Sequence, residues 1–162
     1  MERKDFSDSD WQTLQFGAFW AWMVISGQDG KVDQNESAAF RLAMDNIGDI
    51  KGQLGREVAY TVTSDSDSIY AAWQADPRTA ADGLKAAAAI VDRTPGDESN
   101  RYKGLLVWLA IKVAAASGSF FGDKISGQER AAIQLLSQLL GYDERDAITA
   151  TYTPLVLDAL AR

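Results

Sequence analysis

Apolar side chains along this chain return every three or four residues, the spacing of one face of an α-helix. Ser7-Asp8-Ser9-Asp10 supplies a cap and acids suited to a helix N-terminus. Trp11, Leu14, Ala18, Trp22 and Ile25 then share a face, widened by Phe16, Phe19, Trp20 and Met23. A helix apolar around so much of its circumference is expected to be buried, with Gly27 at its end. A second helix is expected after Asp33, with Ala39, Phe40, Ala43, Met44 and Ile47 in helical register and Gly48 as the stop. A third is expected over 50–63. Its run Val58-Ala59-Tyr60-Thr61-Val62 has strand character, but no partner strand is evident elsewhere.

The second half continues in the same way. A short helix is expected around Ile69, Tyr70 and Trp73. Asp76-Pro77 reads as an N-cap followed by proline at the first helical position, opening an alanine-rich helix through Leu84, Ala87, Ala88 and Val91 to Arg93. Thr94-Pro95-Gly96-Asp97 is a turn, and an apolar helix follows from Ser99 to Ser117. After the glycine-bearing stretch Gly118-Ser119-Phe120-Phe121-Gly122, Ser126 caps a helix to Leu140, Gly141 sits past its end, and Thr153-Pro154 starts a last one. The pattern predicts an all-α fold: one domain over residues 1–162, a bundle of about seven to eight helices and no sheet.

Composition then narrows the chemistry. The chain has neither cysteine nor histidine. That excludes thiol redox chemistry, zinc sites of the Cys/His kind and the usual Ser-His or Cys-His nucleophile pairs. Any metal site must be built from oxygen, which suits calcium, magnesium or manganese. The net charge of -7, with no basic cluster, argues against nucleic acid as a partner. The most apolar run, Gly104 to Ile111, is too short to span a bilayer and is followed by Lys112. Met1-Glu2-Arg3-Lys4-Asp5 lacks the apolar stretch of a secretory signal, so the expected compartment is the cytoplasm. No enzyme activity is expected.

Two segments repeat one another without a gap, Gly30 to Phe40 and Asp123 to Ile133. Each reads lysine, β-branched apolar, capping residue, two spacers, glutamate, spacer, Ala-Ala, apolar, and each follows a tryptophan-bearing apolar helix. The unit is helix, loop, capped helix, and two of them can pack around a pseudo-twofold axis as halves over about 8–65 and 97–150. Trp108 and Leu109 are expected to be buried near that axis, close to the first helix. Asp29-Gly30-Lys31-Val32-Asp33-Gln34-Asn35-Glu36 matches the later part of an EF-hand loop, but Ile25 and Gly27 stand where its first calcium ligands belong. The second copy has Gly118 and Phe120 there. An EF-hand is therefore not expected.

The paired segments, Gln28 to Glu36 and Phe120 to Glu129, with the closing Leu139-Leu140-Gly141, resemble the tellurite-resistance TerB-like family. The resemblance spans roughly residues 10 to 150. It implies an all-helical fold of two pseudo-symmetric halves and a non-catalytic role as binding or adaptor protein in a tellurite or chemical-stress response complex. It also implies protein partners, some of them membrane-associated, without insertion of this chain into the membrane. A homodimer is compatible with it. By the same resemblance Asp29, Asp33 and Glu36 in the first half, with Asp123 and Glu129 in the second, are the residues that would hold a divalent cation. Ser126 stands where the first half has Asp33, which breaks the symmetry of such a site.

The residues also admit a plainer reading. A glutamate three positions after a capping residue reaches back to the cap's own N–H, so Glu36 and Glu129 serve as capping-box partners with or without metal. On that alternative the chain is a ligand-free structural or interaction module whose acids are only caps. Phe120 and Phe121 either plug the core or form an interaction hot spot. The five tryptophans are read as core, although Trp20 and Trp22 point to different sides of their helix. At least one of them is therefore expected at another helix or at the surface.

Overall fold

The computed structural model of the protein describes residues 2–27, 34–45, 50–117 and 127–142; for 34–37 and 116–117 only their place in a helix is described. Among the described residues there are seven α-helices and no strand: α1 (Asp8–Ser26), α2 (Gln34–Asp45), α3 (Gln53–Ser64), α4 (Ser66–Gln74), α5 (Ala80–Val91), α6 (Glu98–Ser117) and α7 (Gly127–Leu140). A 3-10 turn over Arg3–Asp5 precedes them. It docks on α3 through the Arg3 N–H, which donates to Glu57 Oε1 at 3.2 Å. The fold is an all-α bundle, and no described helix is long and apolar enough to cross a membrane. Asp33, Ile47, Gly48, Ser126 and the helix expected from Thr153-Pro154 lie outside the described residues.

Helix α1 is the centre. Its Ser7 cap accepts the Asp10 N–H at 3.1 Å, as the sequence leads one to expect. Beyond the first turn it buries Trp11, Leu14, Phe16, Ala18, Phe19, Trp20, Ala21 and Ile25. It packs on α5 and α6 above all, and also on α3, α4 and α7. Helix α6 is enclosed in the same way, with every residue from Tyr102 to Ile111 buried, Trp108 and Leu109 among them. Helix α2 lies mainly across α6 and against α3, whereas α7 lies against α5, α6 and α1.

Two glycines let α1 meet its neighbours closely. A Cβ on Gly17 would overlap the hydroxyl of Tyr102, a fully buried side chain whose O–H donates to the Leu14 carbonyl at 2.6 Å. Burial pushes that phenol well above its ordinary titration range, so it stays a donor. A Cβ on Gly83 of α5 would overlap the indole of Trp20. Tryptophan on α1 and glycine on α5 thus form one ridge-and-groove contact.

Helix boundaries differ from expectation where the expected cap is engaged elsewhere or another side chain takes its place. The expected Asp76-Pro77 start is corrected: α5 begins at Ala80, and its cap is Thr79, whose Oγ1 accepts the Asp82 N–H at 3.1 Å. Asp76 is occupied elsewhere, by Arg78. The expected start of the third helix at Ile50 also moves, to Gln53. Gly52 precedes it at φ 87, a conformation favouring glycine. The free N–H groups of Gln53 and Leu54 donate instead to the Glu98 carboxylate, at 3.3 and 2.8 Å. That carboxylate sits at the first position of α6 and serves α3 across the fold. Gly141, at φ 61, closes α7 as expected. Its N–H donates to the Gln138 carbonyl and that of Tyr142 to the Ser137 carbonyl, which completes a Schellman motif.

Alanine in place of glycine inside a helix ordinarily gains up to about 1 kcal/mol of stability. At Gly83 the Trp20 ring must move out of a packed core, and overpacking of that kind costs about 1–3 kcal/mol. Gly83→Ala is therefore expected to destabilise the protein. Gly127→Ala, where a methyl would meet nothing within 4 Å, is expected to be neutral or slightly stabilising. Urea melts of the two variants check this, and equal effects would remove the Trp20–Gly83 contact as a constraint.

Candidate functional site

A cleft of about 510 Å³ opens beside the C-terminal half of α1. Trp20, Trp22, Met23 and Ser26 enter it from α1, Tyr70, Trp73 and Gln74 from α4, and Asp76 and Arg78 from the connection to α5. Its walls belong to an array of rings. Phe19 stacks on Trp73 with centroids 5.4 Å apart, Trp22 stacks on Phe40 of α2 at 5.4 Å, and Tyr70 lies 5.5 Å from Trp73. Phe19 also meets Phe40 and Tyr70, so α1, α2 and α4 are joined through aromatic faces.

Arg78 is held from several sides. Its Nε and Nη2 donate to the two oxygens of Asp76 at 2.9 and 2.7 Å, a bidentate pair. Its own backbone N–H donates to the same carboxylate at 2.9 Å, and its Nη1 donates to Thr13 Oγ1 at 3.1 Å. The guanidinium carbon stands 4.8 Å from the centroid of Trp20. The positive charge is thus compensated where it sits. Two further polar atoms of the cleft residues are not satisfied: the Trp22 indole N–H and the Ser26 hydroxyl are buried without a hydrogen-bond partner.

The acids singled out in the sequence are placed only in part. Asp29, Asp33 and Asp123 lie outside the described residues, as do Phe120 and Phe121. Glu36 is the third residue of α2 and Glu129 the third of α7, and Glu129 is half-buried. These two helices both pack on α6, α2 also on α3 and α7 also on α5 and α1. Among the described residues no three acidic side chains gather as a metal site would require. Ile25, at the first position of an imagined calcium loop, is helical and 2% exposed.

The cleft itself was not anticipated. Trp20, Trp22, Tyr70 and Trp73 are visible as aromatics at helical spacing, but their meeting depends on how α4 crosses α1. Asp76 and Arg78 carry the clearest local signal, an aspartate two residues before an arginine, which the capping reading of Asp76-Pro77 obscured.

No protein-family model matches the chain, and no solved structure matches it. It is 28% identical over 144 residues to an uncharacterized protein, ORF11′, of Methanothermobacter thermautotrophicus, a match covering 85% of this chain and 91% of that one. The likeness runs nearly end to end in both, so it concerns the whole bundle and not one half.

Because Arg78 donates to it, the Asp76 carboxyl titrates below its ordinary value of 3.8, despite the opposing effect of partial burial. Its contribution to stability is therefore complete above that value and is lost as pH falls through the lower, folded-state value. Asp76→Asn keeps the shape and removes the charge. The wild type is expected to be more stable than this variant by about 1–2 kcal/mol near neutrality. The advantage should narrow once pH drops below about 4. Denaturant melts at descending pH measure it, and an unchanged advantage near pH 2 would contradict the pairing.

Proposed function

We propose that this chain is a non-catalytic, TerB-like adaptor of a tellurite or chemical-stress response complex, acting in the cytoplasm. Its acidic segments, Asp29, Asp33 and Glu36 with Asp123 and Glu129, take up calcium, magnesium or manganese and tune its docking to protein partners. The observation that carries this reading is the order and packing of the helices that flank the paired segments. Each follows an apolar helix, α1 or α6, these two helices pack on one another in the core, and each segment runs into a helix with glutamate at its third position. Two halves related by a pseudo-twofold axis would have this arrangement. The composition supports a role in binding, since neither thiol nor imidazole is available for catalysis.

The same third-position glutamates favour a second reading, in which the acids are helix caps and nothing more. Metal separates the two. A cation bound only by the folded state and present at a hundred times its Kd adds about 2.7 kcal/mol of stability, which raises the melting temperature of a domain this size by roughly 5–10 °C. Thermal melts with chelator, then with calcium, magnesium or manganese, should show that rise in the wild type. Asp29→Asn should abolish it while relieving repulsion in the metal-free protein. Glu36→Gln would still cap, whereas Glu36→Ala should lose stability with or without metal. A wild type that melts at one temperature in every condition would leave the acids as caps alone.

A further inference from the structure

We infer that the cleft beside the C-terminal half of α1 binds an aromatic monocarboxylate, its ring among Trp22, Tyr70 and Trp73 and its carboxylate on the Arg78 guanidinium. This site is independent of the acidic segments. Its volume of about 510 Å³ falls within the range of small-molecule sites.

Aromatic surface is on offer there. Trp22 and Trp73 each have one face covered, by Phe40 and by Phe19, yet both are only half-buried and both line the cleft. Tyr70 and Met23, which line it too, are among the exposed large apolar side chains. A flat ring makes the most contact with such walls, and the flexible Met23 thioether can adjust to it.

The polar chemistry reachable from the cleft is that of a donor. The Arg78 side chain is 31% exposed and that of Asp76 12%, so a guest meets the guanidinium before the carboxylate. Both Asp76 oxygens already accept from Arg78. A guanidinium has five N–H donors. Asp76 takes two and Thr13 one, which leaves two without a partner among the described residues. The Gln74 amide, exposed at the same cleft, can add another. An acceptor on the guest therefore binds without breaking the Arg78–Asp76 pair. A carboxylate suits the site better than a neutral carbonyl, because hydrogen bonds between charged groups are stronger. Asp76 holds the Nε edge, so a carboxylate on the remaining donors stands closer to the guanidinium than to Asp76, and attraction exceeds repulsion. A cationic guest finds the opposite balance. An anion without a ring would forgo the apolar walls.

The test is calorimetric titration of the whole chain with 2-naphthoate. Its neutral carboxamide, naphthylmethylammonium and acetate serve as the uncharged acceptor, the cation and the anion without a ring. Naphthoate is expected to bind saturably, at least about fivefold tighter than the carboxamide, and tighter than the ammonium or acetate. Tyr70→Ala removes an exposed cleft ring and should weaken naphthoate by about three- to tenfold. Tyr60→Ala removes an exposed ring that does not line the cleft and should leave the affinity unchanged. Asp76→Asn keeps the shape and removes the neighbouring negative charge. It should bind naphthoate at least about threefold tighter than the wild type and the carboxamide equally well, a gain that a merely structural Asp76 would not produce. Tyr70→Ala and the ligand series keep the test valid if Asp76→Asn folds poorly. No saturable binding at millimolar naphthoate, equal binding of the carboxamide or the ammonium, no loss in Tyr70→Ala, or a folded Asp76→Asn that binds naphthoate no tighter would each overturn the assignment.

Discussion

The structure depends on one constraint, the enclosure of α1. A helix buried on most of its circumference cannot be stabilised from one side, so five other helices must close around it. Close approach on the two principal sides requires the absence of a side chain at one partner or the other. Gly17 yields on α1 so that Tyr102 of α6 can reach the Leu14 carbonyl, and Gly83 yields on α5 so that the Trp20 indole can lie against it. The hydrophobic effect supplies the driving force and is indifferent to register. These two contacts set the register.

Enclosure on this scale leaves polar groups to be satisfied at a distance. Glu98 at the start of α6 caps α3, and Arg78 spans Asp76, Thr13 and the Trp20 face. Lys103 is almost fully buried, and its ammonium donates to Asp92 at 2.6 Å, beside Ser99, which donates to the same oxygen at 2.7 Å. Partial burial works to raise the Asp92 carboxyl, but these two hydrogen bonds and the lysine charge outweigh it and hold the carboxyl below its ordinary range. Asp92 closes α5, so the lysine also faces the negative end of that helix. Against this pattern of long-range satisfaction, four buried polar atoms among the described residues, on Trp22, Ser26, Glu57 and Trp108, have no partner.

Helices were legible in the sequence because burial repeats with the helical period, and the Ser7 cap and the Gly141 stop are local chemistry. The misplaced starts of α3 and α5 have different causes. Asp76 looked like a cap because aspartate before proline usually is one, but a neighbouring guanidinium competes for the same oxygens. Glu98 could not be recognised as the cap of α3, since the two lie more than forty residues apart. The cleft was hidden for the same reason: four aromatics in α1 and α4 are unremarkable core residues until their helices cross. Of the acidic set, Glu36 and Glu129 lie among the described residues, each at the third position of its helix.

Native-state hydrogen exchange tests the central role of α1 most directly. If α1 is enclosed by its neighbours, its amides from Leu14 to Ile25 should exchange only when the whole molecule unfolds. They should then share one exchange free energy, equal to that of global unfolding and with the same denaturant dependence. The peripheral α4, with a single buried side chain at Ile69, should open earlier. Exchange of the α1 amides through local opening, at a free energy well below the global value, would contradict this.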